Sequence, residues 1–388
     1  MSRDPYGLSR LAAVVGIAEY GCGMSPGETV LSLQGRAARL ALRDAGLGLA
    51  DVDGLFVSGY PYAERPGLLL SEYLGIQPSW LDSTNVGGCG FVAALEHAAA
   101  AIAAGLCRVV LISYGSTQYS SGLRKLGGRP PEFSYQFEVP HGLPQPLGGY
   151  ALAASRHMYE FGTTPDQLAE VAVAARQWAM LNPAAPQRGE LTVDDVLASP
   201  MIASPLHVLD CCLVTDGAGA VIVTSADRAR DLAQPAILIV GSACAHSHET
   251  VTSMPDMTTT AGAVSGPSAF SRAGMTPRDV DVVQTYDSFT ITTLLALEDL
   301  GFCAKGEGGA FVSGGRIAPG GELAVNTSGG GLSYCHPGMF GIFLVIEATR
   351  QLRGQAGQRQ VAGARRAVCH GVGGQLSATA TAILERAA

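Results

Sequence analysis

Residues 41–57 read ALRDAGLGLADVDGLFV, and residues 269–285 repeat the pattern without a gap as AFSRAGMTPRDVDVVQT. Both copies carry the skeleton A-x-x-x-A-G-Φ-x-x-x-D-V-D-x-Φ, in which Φ is an apolar residue. Each copy predicts the last turn of a helix, a glycine in the left-handed conformation that ends the helix, a short turn and a strand. A chance recurrence of a common helix–turn–strand pattern is the alternative. The repeat favours a chain of two similar α/β halves.

The segments that follow the two copies are also alike. A glycine-rich turn at residues 87–90 precedes FVAALEHAAAAIAAG, which is typical of a helix, and CRVVLISYG, which is typical of a buried strand. In the second half, residues 329–337 precede the helical sequence GMFGIFLVIEATRQLRG and the apolar sequence RAVCHGV. We therefore expect an N-terminal half over residues 1–228 and a C-terminal half over residues 229–388.

The region over about residues 116–205 differs from its surroundings. Prolines and glycines fill its first part, and a helical stretch follows over residues 150–181. We interpret it as an inserted loop and cover region over one face of the first half, because long loops inside compact domains are often functional covers. Plain surface elaboration is the alternative.

The composition bounds the class of protein. The chain has 388 residues, of which 47% are hydrophobic and 15% charged, so a large core is expected. A net charge of −8 argues against nucleic-acid binding. No apolar run is long enough to span a membrane, and no signal segment is evident at the start, so we expect a cytoplasmic protein. Nine unevenly spaced cysteines without a CxxC pair do not indicate a disulfide framework or a metal site.

Two residues in glycine-rich turns are the first candidates for chemistry. Cys89 lies in NVGGCGFVAALEHA, where the free N–H groups and positive end of the following helix would lower its pKa and favour the thiolate. A buried structural cysteine is the alternative. His336 lies in GGGLSYCHPGMFG on a rigid turn, from which it could take the proton of Cys89. A satisfied core or cap histidine is the alternative there.

A second cluster ends an apolar strand in AVCHGVGG. The thiol of Cys369 could act as acid and base at a substrate carbon, and strand packing is the alternative role. The backbone N–H of Gly371 could belong to an oxyanion hole. His370 lies between these two residues.

GGCG before a helix, NTSGGG with CHPG, and CHG resemble the three signatures of the thiolase superfamily, and they come in the order of that family. The sequences YDSF (286–289) and LDCCLVTDGAGAVIVTS (209–225) resemble its sterol-carrier-protein-type, or lipid-transfer-protein-like, branch. The resemblance covers nearly the full chain. It implies the thiolase fold, with two duplicated α/β halves, each with a mixed five-stranded sheet, in an α-β-α-β-α five-layer arrangement.

The resemblance also implies roles for single residues. Cys89 would be the acylated nucleophile and His336 its base, while the backbone N–H groups of Cys89 and Gly371 would bind an oxyanion. Cys369 would be the acid and base at the α-carbon. The substrate would also be bound by Ser288, Gly330, Gly331 and His370.

The leading hypothesis is a coenzyme A-dependent thiolase. It would cleave or form a carbon–carbon bond in a 3-oxoacyl-CoA through an acyl-Cys89 intermediate, with coenzyme A as a cosubstrate and no bound cofactor or metal. A non-catalytic subunit that binds acyl-CoA or lipid is a further alternative.

Two tyrosines support a rival reaction. Tyr286 stands where the family usually has Asn or His, and Ser288 stands where this branch often has a catalytic cysteine. Tyr286 and Tyr334 match tyrosines of the retro-aldolases of the branch, which cleave 3-hydroxyacyl-CoA side chains of steroids. A phenol with a tuned pKa serves as a general acid or base. Both tyrosines could instead be simple walls of a pocket.

The family further implies a homodimer, and a small OB-fold and zinc-ribbon partner subunit is plausible. Arg124 and Lys125 are possible contacts for the phosphates of coenzyme A.

Overall fold

The computed structural model of the chain describes residues 4–58, 64–122, 132–143 and 145–387. These ranges contain twelve strands. They are β1 (Ala12–Gly23), β2 (Gly54–Val57), β3 (Trp80–Asp82), β4 (Val109–Ser116), β5 (Met201–Ala203), β6 (Leu206–His207), β7 (Asp216–Ser225), β8 (Ile237–His246), β9 (Val282–Thr285), β10 (Ala324–Val325), β11 (Arg366–Gly373) and β12 (Ala378–Arg386).

The same ranges contain twelve α-helices. They are α1 (Val30–Ala45), α2 (Pro66–Leu74), α3 (Gly90–Ala103), α4 (Phe133–Phe137), α5 (Leu147–Phe161), α6 (Pro165–Met180), α7 (Val193–Ala198), α8 (Ala226–Ala229), α9 (Gly262–Ala273), α10 (Thr290–Asp299), α11 (Gly308–Val312) and α12 (Gly341–Leu352).

The internal repeat has the local structure that its sequence predicts. Helix α1 ends at Gly46 in the left-handed conformation, a single 3₁₀ turn follows, and β2 begins. Helix α9 ends at Gly274 in the same conformation, and a 3₁₀ turn again leads into a strand, β9. The prediction of two equivalent helix–turn–strand units is confirmed.

The two groups of five strands have the same topology. The first runs β3-β2-β4-β7-β1 and the second runs β10-β9-β11-β12-β8. In each group the first two neighbour pairs are parallel and the last two are antiparallel. A short antiparallel pairing of β1 with β8 joins the groups edge to edge. The boundary between residues 228 and 229 falls between β7 and β8, and as a domain limit it stays a prediction.

Helices separate the two groups of strands. Helices α3 and α12 pack on each other and contact strands of both halves, so they form a central layer. Helix α1 covers the far side of the first group and α9 covers the far side of the second. The predicted α/β fold with five layers is confirmed.

The inserted region forms helices rather than an open loop. The helical stretch expected over residues 150–181 is two helices, α5 and α6, and not one. Gly162 ends α5 in the left-handed conformation, and Thr164 begins α6 with a capping box and a proline in its first turn. In the sequence FGTTPDQ (161–167), the glycine predicts the end of one helix, and Thr-Pro followed by Gln predicts the start of the next.

The nine cysteines are all free thiols. No helix in the described part of the chain has both the length and the apolar character needed to cross a membrane.

Candidate active site

A cavity of about 750 Å³ opens where the glycine-rich turns of both halves and the inserted region meet. Its walls come from residues 85–88 before α3, residues 286–289 after β9, residues 336–339 before α12 and residues 372–378 around the β11–β12 turn. Much of the wall is apolar, and these side chains are Val86, Leu147, Ile202, Val208, Leu213, Val214, Phe289, Met339 and Val372. The volume is that of a site for a sizeable organic molecule.

Tyr286 and His336 form a hydrogen-bonded pair at the cavity wall. The Tyr286 hydroxyl lies 2.9 Å from Nε2 of His336, and the backbone N–H of Phe340 donates to the same phenol oxygen at 3.1 Å. The two rings meet edge to face, with centroids 5.6 Å apart. Burial raises the pKa of Tyr286 well above its ordinary value, and the N–H of Phe340 opposes this rise. Tyr286 therefore rests as a neutral phenol beside a potential proton acceptor.

The turn that carries His336 is held from both sides. The His336 N–H donates to the Thr215 hydroxyl at 3.0 Å, and the Thr215 N–H donates to the carbonyl of His336 at 3.3 Å. Tyr114 donates to the carbonyl of Pro337 at 2.6 Å and accepts from the N–H of Met339 at 3.1 Å. Tyr114 lies on β4, and Thr215 immediately precedes β7. These two residues therefore fix the turn that carries the imidazole relative to the sheet.

Cys89 lies next to this site but does not reach the cavity. Its side chain is 1% exposed, and its thiol donates to the carbonyl of Val86 at 3.2 Å. Residues 85–88 line the cavity, and Cys89 is not among the described residues that do so. Burial raises the pKa of the Cys89 thiol, to which Cys244 adds, and only its own backbone N–H opposes this. The prediction of a lowered pKa was wrong, because desolvation outweighs the helix terminus.

The expected role of His336 as the base for Cys89 stays a prediction. Its Nε2 faces the hydroxyl of Tyr286, which takes the place that the sequence assigned to the sulfur. The phenol ring lies directly over Gly88, where a Cβ would stand 2.2 Å from a ring carbon. The ring of Tyr286 thus leaves no room for a side chain at residue 88.

Gly371 approaches Cys89 as expected, but it faces the core. A Cβ on Gly371 would lie 2.8 Å from the Cα of Cys89, and one on Gly373 would lie 2.9 Å from the sulfur. The part of β11 and the following turn that lines the cavity begins at Val372 and includes Gly373 and Gly374. Gly371 thus packs closely against Cys89, and the expected role of its backbone N–H in an oxyanion hole stays a prediction.

Cys369 is a packing residue. It is fully buried, and its thiol donates to the carbonyl of Leu344 in α12 at 3.5 Å. Burial raises the pKa of this thiol. It is not among the described residues of the cavity wall, and its expected role as acid and base at the α-carbon stays a prediction.

Tyr334 also lies away from the cavity. It is 2% exposed, and its pKa is raised first by burial and then by Cys22 and Glu19 of β1, so its phenol faces that strand. Within the described chain it does not line the cavity. Of the two tyrosines, Tyr286 lines the described cavity, and their expected pairing in a retro-aldol reaction stays a prediction.

His370 points to the opposite face of its strand. Its Nδ1 lies 2.9 Å from the hydroxyl of Thr381, and its ring packs against Gly262 at the start of α9. Burial lowers the pKa of His370 to about 4. Its side chain thus lies on the side of β11 that faces α9, since alternate residues of a strand face opposite sides. Its expected contact with substrate stays a prediction.

Gly330 and Gly331 enclose a carboxylate rather than a substrate. The side chain of Asp287 accepts the N–H of Gly331 at 2.7 Å and that of Leu332 at 3.3 Å. A Cβ on Gly330 would lie 1.9 Å from this carboxylate. Burial raises the pKa of Asp287 to about 7, while these N–H donors oppose the rise. The two glycines therefore hold the segment that carries Tyr286 and Ser288.

Ser288 does line the cavity, as expected. Its hydroxyl lies 3.1 Å from that of Thr292. The sequence did not identify Tyr150 or Cys212, which also line the cavity. The backbone N–H of Cys212 donates to the carbonyl of Ser288 at 2.9 Å, which holds Cys212 beside the wall. The sequence around Cys212 gave no indication of this position.

His246 and His248 lie at the cavity wall. His248 is held by the carbonyl of Gln375 at 3.0 Å and by the hydroxyl of Ser247 at 2.8 Å. Within the described ranges no group of three or more His, Cys, Asp or Glu side chains could hold a metal ion. Arg124 and Lys125, the possible phosphate contacts, lie outside the described residues.

Known proteins resemble this chain over most of its length. A family described as "Thiolase C-terminal domain-like" matches residues 243–386. The 17-hydroxy-3-oxo-4-pregnene-20-carboxyl-CoA lyase of Mycobacterium tuberculosis is 38% identical over 89% of this chain and 92% of its own. An acetyl-CoA acetyltransferase of Methanothermobacter thermautotrophicus is 34% identical over 97% of this chain and 100% of its own.

A solved structure agrees with the sequence comparisons. The Ltp2-ChsH2(DUF35) aldolase superimposes with a TM-score of 0.90 at 31% identity, over 98% of both chains. The relatives thus include a lyase, an aldolase and an acetyltransferase.

Proposed function

Because the chain belongs to the thiolase superfamily, in the sterol-carrier-protein-type branch, we propose that it cleaves a 3-hydroxyacyl-CoA by a retro-aldol reaction. The observation that carries the proposal is the hydrogen bond of 2.9 Å between Tyr286 and His336 at the cavity wall, while Cys89 is buried behind that wall. The lyase and the aldolase among its relatives support the same class of reaction.

The proposed reaction moves one proton from oxygen to carbon. The hydroxyl on C3 of the substrate gives its proton to the oxygen of Tyr286 as the phenol proton passes to Nε2 of His336. The C2–C3 bond then breaks, C3 becomes a carbonyl carbon, and the electron pair enters the thioester as an enolate. A proton added at C2 completes the released acyl-CoA. No oxidant and no free coenzyme A are consumed.

The surroundings of Tyr286 suit this step. The N–H of Phe340 stabilises negative charge on the phenol oxygen as the substrate proton approaches, while burial keeps the phenol neutral before binding. A positioned acid or base of this kind contributes about 10²- to 10⁴-fold to a rate. The apolar wall of the cavity, with Leu147, Val208 and Phe289, favours a bulky apolar group on C3 such as a ring system.

The direct test compares two variants on a 3-hydroxyacyl-CoA with a bulky C3 group. Tyr286→Phe should lose carbonyl release, and Cys89→Ala should keep it. Loss of release in Cys89→Ala, with Tyr286→Phe as active as the unaltered protein, would reverse the assignment.

Thiolysis through acyl-Cys89 is the second candidate. It is favoured by the position of Cys89 at the start of α3 against Gly371, and by the likeness to an acetyl-CoA acetyltransferase. It needs the sulfur to enter the cavity and His336 to leave Tyr286. Consumption of free coenzyme A with a 3-oxoacyl-CoA would support it.

We also propose a homodimer that works with a small OB-fold and zinc-ribbon subunit. Support for the second subunit comes from the solved Ltp2-ChsH2(DUF35) aldolase, in which two components are named. Light scattering of the purified chain, alone and after co-expression with such a subunit, tests both proposals. A monomer that gains no mass on co-expression would contradict them.

A further inference from the structure

Tyr150 brings a second phenol into the cavity from the inserted region. It lies in the first turn of α5, is 4% exposed and belongs to the cavity wall. Its ring packs on that of Phe289, with centroids 4.5 Å apart, and its hydroxyl donates to the carbonyl of Gly374 at 3.4 Å. One side chain of the insertion is thus fixed against the C-terminal half at the centre of the site.

The polar groups around the Tyr150 oxygen belong to residues at or beside the proposed reaction site. The Ser288 hydroxyl and the backbone of Leu376 lie close enough to lower the pKa of this phenol, and Cys89 and Cys212 lie close enough to raise it. Tyr286 is also within electrostatic reach, since the charge of Tyr150 acts on the Tyr286 phenol. Burial raises the pKa of Tyr150 to about 12, so this phenol carries its proton at neutral pH.

A retro-aldol cleavage needs proton transfer at two different atoms. The pair of Tyr286 and His336 serves the hydroxyl on C3, and a proton donor must then meet C2 of the enolate. Cys369, expected from the sequence for this task, bonds Leu344 in the core, and Tyr334 faces Cys22 and Glu19. Neither group is among the described residues that line the cavity.

We propose that Tyr150 is the acid that protonates C2, an inference that rests on the proposed retro-aldol function. The phenol O–H bond breaks as the C2–H bond forms, and the phenolate is stabilised by the backbone of Leu376 and the hydroxyl of Ser288. The proton that His336 received from C3 returns through Tyr286 to the Tyr150 phenolate. The protein ends in its starting state, and the inserted region thereby supplies a catalytic residue as well as a wall.

The test is hydrogen exchange at C2, which needs no cleavable substrate. Acetyl-CoA and propionyl-CoA are incubated with the chain in D₂O, and deuterium at C2 is followed by mass spectrometry. Tyr150→Phe keeps the ring on Phe289 and removes only the hydroxyl, so exchange should fall about 100-fold or more with an unchanged KM. Tyr159→Phe is the matched control, because Tyr159 lies on the same helix and is 83% exposed.

The outcomes separate this inference from the proposed function. Tyr286→Phe should lose cleavage and retain C2 exchange, whereas Tyr150→Phe should lose both, with thermal unfolding checked for each variant. Exchange in Tyr150→Phe within about threefold of the unaltered chain would overturn the inference. The inference would also be overturned if the unaltered chain showed no exchange, or if Tyr286→Phe and Tyr150→Phe lost exchange equally. It would likewise be overturned if Cys212→Ser lost exchange while Tyr150→Phe kept it. A chain that exchanges C2 through Tyr150 but cleaves no 3-hydroxyacyl-CoA would refute the function alone.

Discussion

Replacing Tyr286 with phenylalanine removes one hydroxyl and keeps the ring over Gly88. The hydroxyl makes two hydrogen bonds of ordinary length, 2.9 Å with His336 and 3.1 Å with the N–H of Phe340. If the phenol carries the proton of the substrate hydroxyl, its loss should lower kcat/KM for cleavage by about 10²- to 10⁴-fold. This corresponds to roughly 3–5 kcal/mol of transition-state stabilisation. The assay is release of the carbonyl product from a 3-hydroxyacyl-CoA.

The same change has a cost for stability that must be separated from catalysis. Nε2 of His336 and the N–H of Phe340 lose a partner, and each unpaired buried group costs about 1–3 kcal/mol. Tyr114→Phe is the matched control, because Tyr114 makes two similar hydrogen bonds to the turn at Pro337 and Met339. We expect similar losses in urea unfolding for both variants, but less than about tenfold loss of cleavage for Tyr114→Phe. Equal losses of cleavage would refute the chemical role of Tyr286.

Three further predictions concern other buried groups. Cys89→Ala should keep cleavage within about threefold, and a larger loss of kcat at equal stability would return the sulfur to the mechanism. Glu138 accepts hydrogen bonds from Thr252, Gln145 and Gln375. Glu138→Gln should therefore lower the free energy of unfolding by about 1–3 kcal/mol and, because Gln375 is displaced, raise KM. An unchanged urea midpoint would contradict this prediction. Burial holds the pKa of His370 at about 4, below the ordinary value of 6.5. As the pH falls from 6.5 to 4, His370 binds a proton in the unfolded chain but stays neutral in the folded chain, so roughly 2–3 kcal/mol of the free energy of unfolding is lost. Parallel profiles of unfolding free energy against pH for His370→Gln and the unaltered chain would be evidence against this prediction.

The fold could be predicted because its signals are local and repeated. Gly46 and Gly274 end equivalent helices, and each is followed by the same short turn and strand. The five strands of each half and the five layers followed from the family resemblance rather than from the residues. The helical stretch expected over residues 150–181 is divided at Gly162, and Thr164 starts the second helix within it.

The candidate site could be predicted only in part. The glycine-rich turns do bring Tyr286 and His336 together, although they are 50 residues apart in the sequence. Strand alternation places the side chain of His370 on the other side of β11 from Cys89, and this pattern was available in the sequence. The burial of Cys89 was not, since it depends on the ring of Tyr286 and on the backbone of β11.

Tyr150 shows the limit of motif reasoning. It lies in an insertion without a recognised motif, and only its packing against Phe289 and Gly374 brings it to the cavity. A contact between an insertion and the opposite half of the chain is a tertiary property, which no local pattern encodes.

The product balance of a single turnover tests the central claim most directly. The chain, with and without a co-expressed small subunit, is mixed with a 3-hydroxyacyl-CoA in the absence of free coenzyme A, and the products and the intact protein mass are measured together. We predict equal amounts of the carbonyl compound and the shortened acyl-CoA, with no added mass on the protein. Cleavage that occurs only with a 3-oxoacyl-CoA and free coenzyme A, together with an acyl group on Cys89, would contradict the account.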